Sequence, residues 1–209
     1  VILGCGYSMG ATRFRQACAA QGQHISEDLA QHAVKTYRTR FAKIPLLWRG
    51  LNDAAIAAVQ YPGQETKYRA VRFIADRHWL LIMLPSGRKL FYRQPRVTHY
   101  AGPFGDKPTV EYMAQNQFTR KWTIERTFGG KLTENIVQGL SRCIIAEAML
   151  ALEAADYPVI ASVHDEIICE VPDGHGSLDK MMEIMCQVPA WAKGFPIAAE
   201  GKEAFRYGK

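Results

Sequence analysis

The feature that most restricts the fold is a long amphipathic run, KLTENIVQGLSRCIIAEAMLALEAADY (131–157), which a single proline separates from VIASVHDEIICEVPD (159–173). In the first segment Ile136, Leu140, Ile144 and Ala148 recur every four residues, which lines one face of a helix and predicts burial along it. In the second, apolar residues alternate and then double around a polar centre. That pattern predicts a tight β-hairpin whose tip is His164-Asp165. A long helix leading straight into an antiparallel hairpin implies an α+β chain.

The residues before this pair fall into two regions. ATRFRQACAAQG carries a helical pattern that stops at Gly22, and Ser26 is placed to cap EDLAQHAVKTYRTRF, with Glu27 and Asp28 in the first turn facing the positive end of the helix dipole. A further helix begins near Pro45, where the missing N–H costs nothing, and ends at Tyr61-Pro62-Gly63. Residues 1–62 are therefore read as helical. The stretch RFIADRHWLLIMLPSGRKLFYRQPRV holds β-branched and aromatic runs around Pro85-Ser86-Gly87, and predicts a hairpin or small sheet. From Thr98 to Gly130 the chain reads as irregular, with a strand near RKWTIERTF, so residues 63–130 form a β-rich insert and an irregular connection. Residues 131–209 add SLDKMMEIMCQ as a helix and FPIAAEGKEAF as an extended end.

Composition excludes several classes. The runs Trp79–Leu84 and Ile144–Ala151 fall well short of the ~20 apolar residues of a membrane span, and no secretory signal is visible, so the expectation is a soluble intracellular protein without a membrane partner. Cys5, Cys18, Cys143, Cys169 and Cys186 show no CxxC spacing and read as reduced core thiols. A formal charge of +6 favours a polyanionic partner, although an ordinary enzyme with a basic surface would look the same.

The chemistry gathers at the hairpin tip. Two-residue β-turns favour Asn-Gly or Asp-Gly, yet this one carries His164, Asp165 and Glu166 and no glycine. Adjacent carboxylates are hard oxygen ligands, suited to a magnesium ion that keeps water and phosphate oxygens in its shell. Taken alone, HDE fits a charged, solvated turn better than a metal site.

The long helix containing Gln138, followed by VHDE, resembles the third motif of the DNA polymerase I family (family A), and LGCGYSMG resembles the end of its second motif, Lys-x-x-x-Phe-Gly-x-x-Tyr-Gly. GGKLTENIVQ and LPSGR look most like phage or prophage members. The resemblance covers nearly the whole chain. It implies a C-terminal part of a longer polymerase: residues 1–62 as fingers helices truncated at the N-terminus, and residues 131–209 as part of an antiparallel-sheet palm. The opening, which lacks a methionine, then falls inside a functional helix.

By the same resemblance, Asp165 would be one of two aspartates holding two Mg2+ ions in the complete enzyme, which activate the primer 3′-hydroxyl and stabilise the leaving pyrophosphate. Glu166 would be a weaker metal contributor, and His164 would touch the primer terminus. Tyr7 would stack near the nascent pair, with Gly4 and Leu3 on the motif's glycine and phenylalanine positions. Gln138 would donate to the minor groove, where acceptors are common to all base pairs. Lys131 and Asn135, neighbours at i,i+4, could reach the same duplex. Leu3 lacks the motif's aromatic ring, and Glu134 stands where the bacterial pattern has asparagine.

The implied partners are primer–template DNA and deoxynucleoside triphosphates, in the cytoplasm of a phage or bacterial host. The first family motif, an Asp-Tyr-Ser-like strand with the second metal-binding aspartate, is not among these residues. The implied fragment would be inactive alone and could self-associate through an exposed sheet edge. Two alternatives stand beside it: a non-catalytic nucleic-acid-binding remnant, and a weaker one, a metal-dependent nuclease, which would need further acidic ligands near Asp165 that the spacing of Asp156, Glu170 and Asp173 does not supply.

Overall fold

A computed structural model of the chain describes residues 2–102 and 105–208. It is an α+β structure in two compact units, Val1–Leu84 with Lys89–Val137 and Pro85–Arg88 with Gln138–Lys209.

The first unit opens with four helices, α1 (Ile2–Gly6), α2 (Ala11–Ala20), α3 (Glu27–Arg40) and α4 (Lys43–Gln60). Local chemistry sets their ends. Gly22 takes φ +75° just beyond α2, a conformation that costs glycine nothing. The Ser26 side chain accepts a hydrogen bond from Leu29 N at 3.1 Å and caps α3. Cys5, Phe14, Ala30, Val34 and Tyr37 form a small core among the first three helices.

Six strands follow as an antiparallel meander in sequence order: β1 (Thr66–Tyr68), β2 (Val71–Ala75), β3 (Trp79–Met83), β4 (Lys89–Gly102), β5 (Gly105–Gln115) and β6 (Trp122–Thr127). Val71, Phe73 and Ala75 on β2 and Leu80 and Ile82 on β3 alternate into the interior. Helix α4 covers that face with Leu51, Ala54, Ala55 and Ala58. Its small residues let it lie close: a Cβ at Gly50 would fall 2.0 Å from the Tyr68 ring.

The sheet overturns the reading of residues 98–130 as an irregular connection. Thr98 pairs with Thr109 and Tyr100 with Lys107, so β4 and β5 form a long ribbon, and β5 pairs with β6 from Val110–Thr127 to Gln115–Trp122. Gly105, Asp106, Lys107 and Pro108 have low strand propensity, but continuous backbone pairing with β4 outweighs it. The β4–β5 register shifts between Arg93 and Arg96, where Gln94 takes φ +48°.

Helix α5 (Gly129–Ala154) begins in the first unit and continues into the second. It is 26 residues long, and among the described residues it is the one helix long and apolar enough to cross a membrane by length and composition, which the short apolar runs in the sequence do not suggest. Its apolar stripe is a core stripe: Leu132, Ile136, Ala148 and Leu152 are all buried.

The second unit adds the hairpin β7 (Val159–Val163) and β8 (Glu166–Cys169), followed by α6 (Leu178–Met185). Ala148, Leu152, Tyr157, Ile167 and Ile184 form its core. The Tyr157 hydroxyl accepts from Ser177 N at 3.0 Å and donates to Ser177 O at 3.2 Å, which ties the start of α6 to the end of α5. Residues 195–200 have no regular structure.

Candidate functional site

The tip of the β7–β8 hairpin is a two-residue turn: Val163 pairs with Glu166, leaving His164 and Asp165 between them. His164 holds φ +55°, a left-handed conformation that glycine or asparagine would adopt at lower cost. A histidine kept there is the kind of local strain that gathers at functional positions. Beneath the tip, Ile167 is buried in the second unit's core, so the turn stands on a fixed base. His164 and Asp165 are exposed, and Glu166 is half-buried.

The two carboxylates differ. The Glu166 carboxylate accepts a hydrogen bond from the Tyr207 hydroxyl at 3.0 Å, which raises the phenol's pKa. Asp165 stands open at the tip, with oxygens of the kind a hard cation takes. Among the described residues no group of three or more His, Cys, Asp or Glu side chains could hold a metal ion. Asp165 and Glu166 thus fit part of a magnesium ligand set and not a whole one. Asp156, Glu170 and Asp173 do not complete it.

In the first unit, Tyr7 lies in the turn after α1. Tyr7 N donates to Gly4 O at 3.2 Å and Met9 N to the same carbonyl at 3.1 Å, while Ser8 holds φ +70°. Two contacts fix this turn. Trp48 Nε1 donates to Gly6 O at 3.0 Å, and Gly130 lies so close that an added Cβ would be 2.6 Å from Tyr7 O. A Cβ at Gly129 would be 2.0 Å from Trp48 O. The paired glycines therefore let the start of α5 press against both α4 and the Tyr7 turn. At Gly4 a Cβ would meet the end of the Met9 side chain at 2.7 Å. The side chain of Leu3 lies outside what the structure describes.

Lys131 and Asn135 turn toward their own sheet. Lys131 Nζ pairs with Glu125 at 3.0 Å and lies 5.9 Å from the Tyr112 ring centroid. Burial opposes its charge, but Glu125 and Tyr112 outweigh it and raise its pKa. Asn135 Nδ2 donates to the Tyr92 hydroxyl at 2.7 Å. Burial pushes that phenol up to about 12, partly offset by the Asn135 hydrogen bond. Gln138, by contrast, is exposed on the part of α5 assigned to the second unit.

Arg38 lies 5.9 Å from the Trp48 ring centroid and donates to Met9 O at 3.4 Å. Sequence reasoning passed over Glu111, which is buried and held by two arginines. Arg96 donates to Glu111 Oε2 at 3.0 Å and Arg126 to Oε1 at 2.8 Å. The Arg126 guanidinium, with Arg96 beside it, holds the Glu111 carboxyl below its usual range. The strand expected near RKWTIERTF includes Arg126, but the sequence gives no strand signal for the start of β5, the partner strand that carries Glu111.

Against known proteins, one match stands out: over 199 residues the chain is 35% identical to a DNA polymerase of Bacillus phage SP02, covering 95% of this chain. The chain is similar to a segment of a phage DNA polymerase. It spans about 30% of that relative's length. No protein-family profile matches it. No solved structure matches it either.

Proposed function

We propose that the chain is the fingers and part of the palm of a template-directed DNA polymerase of the DNA polymerase I family, of phage type. The observation that carries this reading is the similarity to a phage DNA polymerase over 95% of the chain. The strained acidic hairpin supports it independently.

In this reading Asp165 supplies oxygen ligands to a magnesium ion, and Glu166, oriented by Tyr207, supports the charge from β8. Bound magnesium would make the primer hydroxyl a better nucleophile and offset charge on the departing phosphates. His164 is held at the tip to meet the primer end. Tyr7, on a turn clamped by Trp48 and Gly130, presents a ring to the nascent base pair, and exposed Gln138 reaches the minor groove. Lys131 and Asn135 act mainly by fixing α5 to Tyr92 and Glu125, with DNA contact secondary. The remaining metal ligands come from a part of the parent polymerase outside this chain, so this chain alone binds primer–template and deoxynucleotides without joining them. The open edges of the two-stranded β7–β8 sheet offer it a route to self-association. The expected setting is the cytoplasm of the phage's bacterial host.

The test is primer extension by the purified chain with magnesium and all four deoxynucleotides, alongside anisotropy of a labelled primer–template. Binding without extension is expected, and Gln138→Ala should weaken it. Robust magnesium-dependent synthesis would refute the inactivity, and absence of any primer–template binding at low salt would count against the polymerase reading.

The incomplete acidic set favours a second reading, a non-catalytic remnant that binds nucleic acid. It predicts that Asp165→Asn leaves primer–template binding unchanged both with and without magnesium.

A further inference from the structure

The face of the six-stranded sheet opposite α4 carries large aromatic rings in the open. Trp79 is 39% exposed, Phe91 61% and Trp122 55%. Buried sheet faces do not look like this, and patches of contiguous exposed apolar surface usually mark an interaction site. The register shows that these side chains share one face. Trp79 lies opposite Arg93, Arg93 opposite Met113, and Met113 opposite Ile124, so one row crosses four strands. Phe91 stands two residues before Arg93, and Trp122 two residues before Ile124, on that same face.

Arginines are interleaved with the rings. Arg93 lies 5.3 Å from the Trp122 ring centroid, and Trp79 meets Phe91 edge-on at 5.9 Å. Arg93 and Arg96 are three residues apart and in a regular strand would point to opposite faces. The bulge at Gln94-Pro95 reverses this: Arg93 pairs with Met113 and Arg96 with Glu111, two positions on one face of β5. Arg96 and Arg126 share the single carboxylate of Glu111, so with Arg93 these three guanidinium groups meet one acid.

We propose that this face binds single-stranded DNA, with Trp79, Phe91 and Trp122 as base-stacking surfaces and Arg93, Arg96 and Arg126 facing the phosphates. Flat aromatic faces hold any base without reading sequence, and arginines beside them track the backbone. The rings require unstacked bases, which a duplex does not present. A protein partner would be served by the rings alone; the surplus of arginines is what favours a polyanion. The face shares no residue with the acidic hairpin and stands on its own geometry. Only the choice of DNA over RNA rests on the polymerase reading.

The test is fluorescence anisotropy of labelled oligo-dT with the full chain, in wild type and in Phe91→Ala, Trp122→Ala and Arg93→Ala. Each aromatic substitution should weaken binding about tenfold, and Arg93→Ala should also flatten the dependence on salt. Leu46→Ala, an exposed apolar change on α4, should leave binding unchanged. Equal affinity of wild type and the two aromatic variants overturns the proposal. So does a dimer that Trp122→Ala dissolves, seen by sedimentation in a chain that does not bind oligo-dT. Preference for oligo-rU over oligo-dT overturns the choice of DNA. Ultraviolet cross-linking of wild type to oligo-dT gives a readout without substitutions: adducts should map to peptides containing Phe91 or Trp122, and adducts confined elsewhere overturn the proposal.

Discussion

Substituting Gly129 by alanine should loosen the joint on which the Tyr7 turn and the start of α5 both depend. The added methyl would fall 2.0 Å from Trp48 O, 2.5 Å from Trp48 C and 2.7 Å from Trp48 Cα. All three are backbone atoms of α4, so no rotamer change relieves the overlap, and α4 and α5 must separate by roughly 1 Å or more to reach ordinary van der Waals distance. Overpacking of this kind costs about 1–3 kcal/mol, while alanine's better helix propensity returns at most about 1 kcal/mol and less in a first turn. The net is a loss of about 1–2 kcal/mol, equivalent to a drop in Tm of about 2–8 °C for a chain of this size.

Gly50→Ala provides the contrast. The three atoms nearest its Cβ all belong to the Tyr68 ring, which can swing away at the cost of a 3.3 Å hydrogen bond to Leu46 O. That variant should lie within about 1 kcal/mol of wild type, because mid-helix alanine offsets much of the disturbance. Urea denaturation followed by circular dichroism reads both. A Gly129→Ala chain as stable as wild type, or more stable, would show that α4 and α5 do not approach as described.

Three further outcomes follow from the site geometry. Glu111 has a depressed pKa, so its contribution to stability should be present above the usual glutamate range and lost as pH falls through the lower folded value; Glu111→Gln should lower stability at neutral pH and flatten the acid limb of the stability curve. Tyr92→Phe leaves Asn135 Nδ2 without its partner and should cost about 1–2 kcal/mol in urea titration, and it should remove the phenol that ionises near pH 12 in spectrophotometric titration. Asp165→Asn, at an exposed tip, should change stability by no more than about 0.5 kcal/mol while removing the magnesium dependence of primer–template binding.

Much of the fold was legible because its signals are local. The Ser26 cap, the stop at Gly22, the four-residue recurrence of α5 and the apolar alternation around His164-Asp165 lie within a few residues of the structure they specify, and each appears where the sequence puts it. The acidic tip was legible for the same reason. The Thr98–Gly130 region was not, because Gly105–Pro108 at the start of β5 are low in strand propensity and take their form from pairing with β4.

The residues by themselves determine where helices begin and end, which stretches alternate, and that two carboxylates crown a hairpin lacking glycine. Tertiary structure alone decided that Lys131 and Asn135 are engaged by Glu125 and Tyr92, that Glu111 is clamped between Arg96 and Arg126, and that a bulge brings Arg93 and Arg96 onto one side. The physical reason is that periodicity shows a strand has two faces, but only the pairing register and the helix packed against the sheet determine which face is buried and which meets a partner.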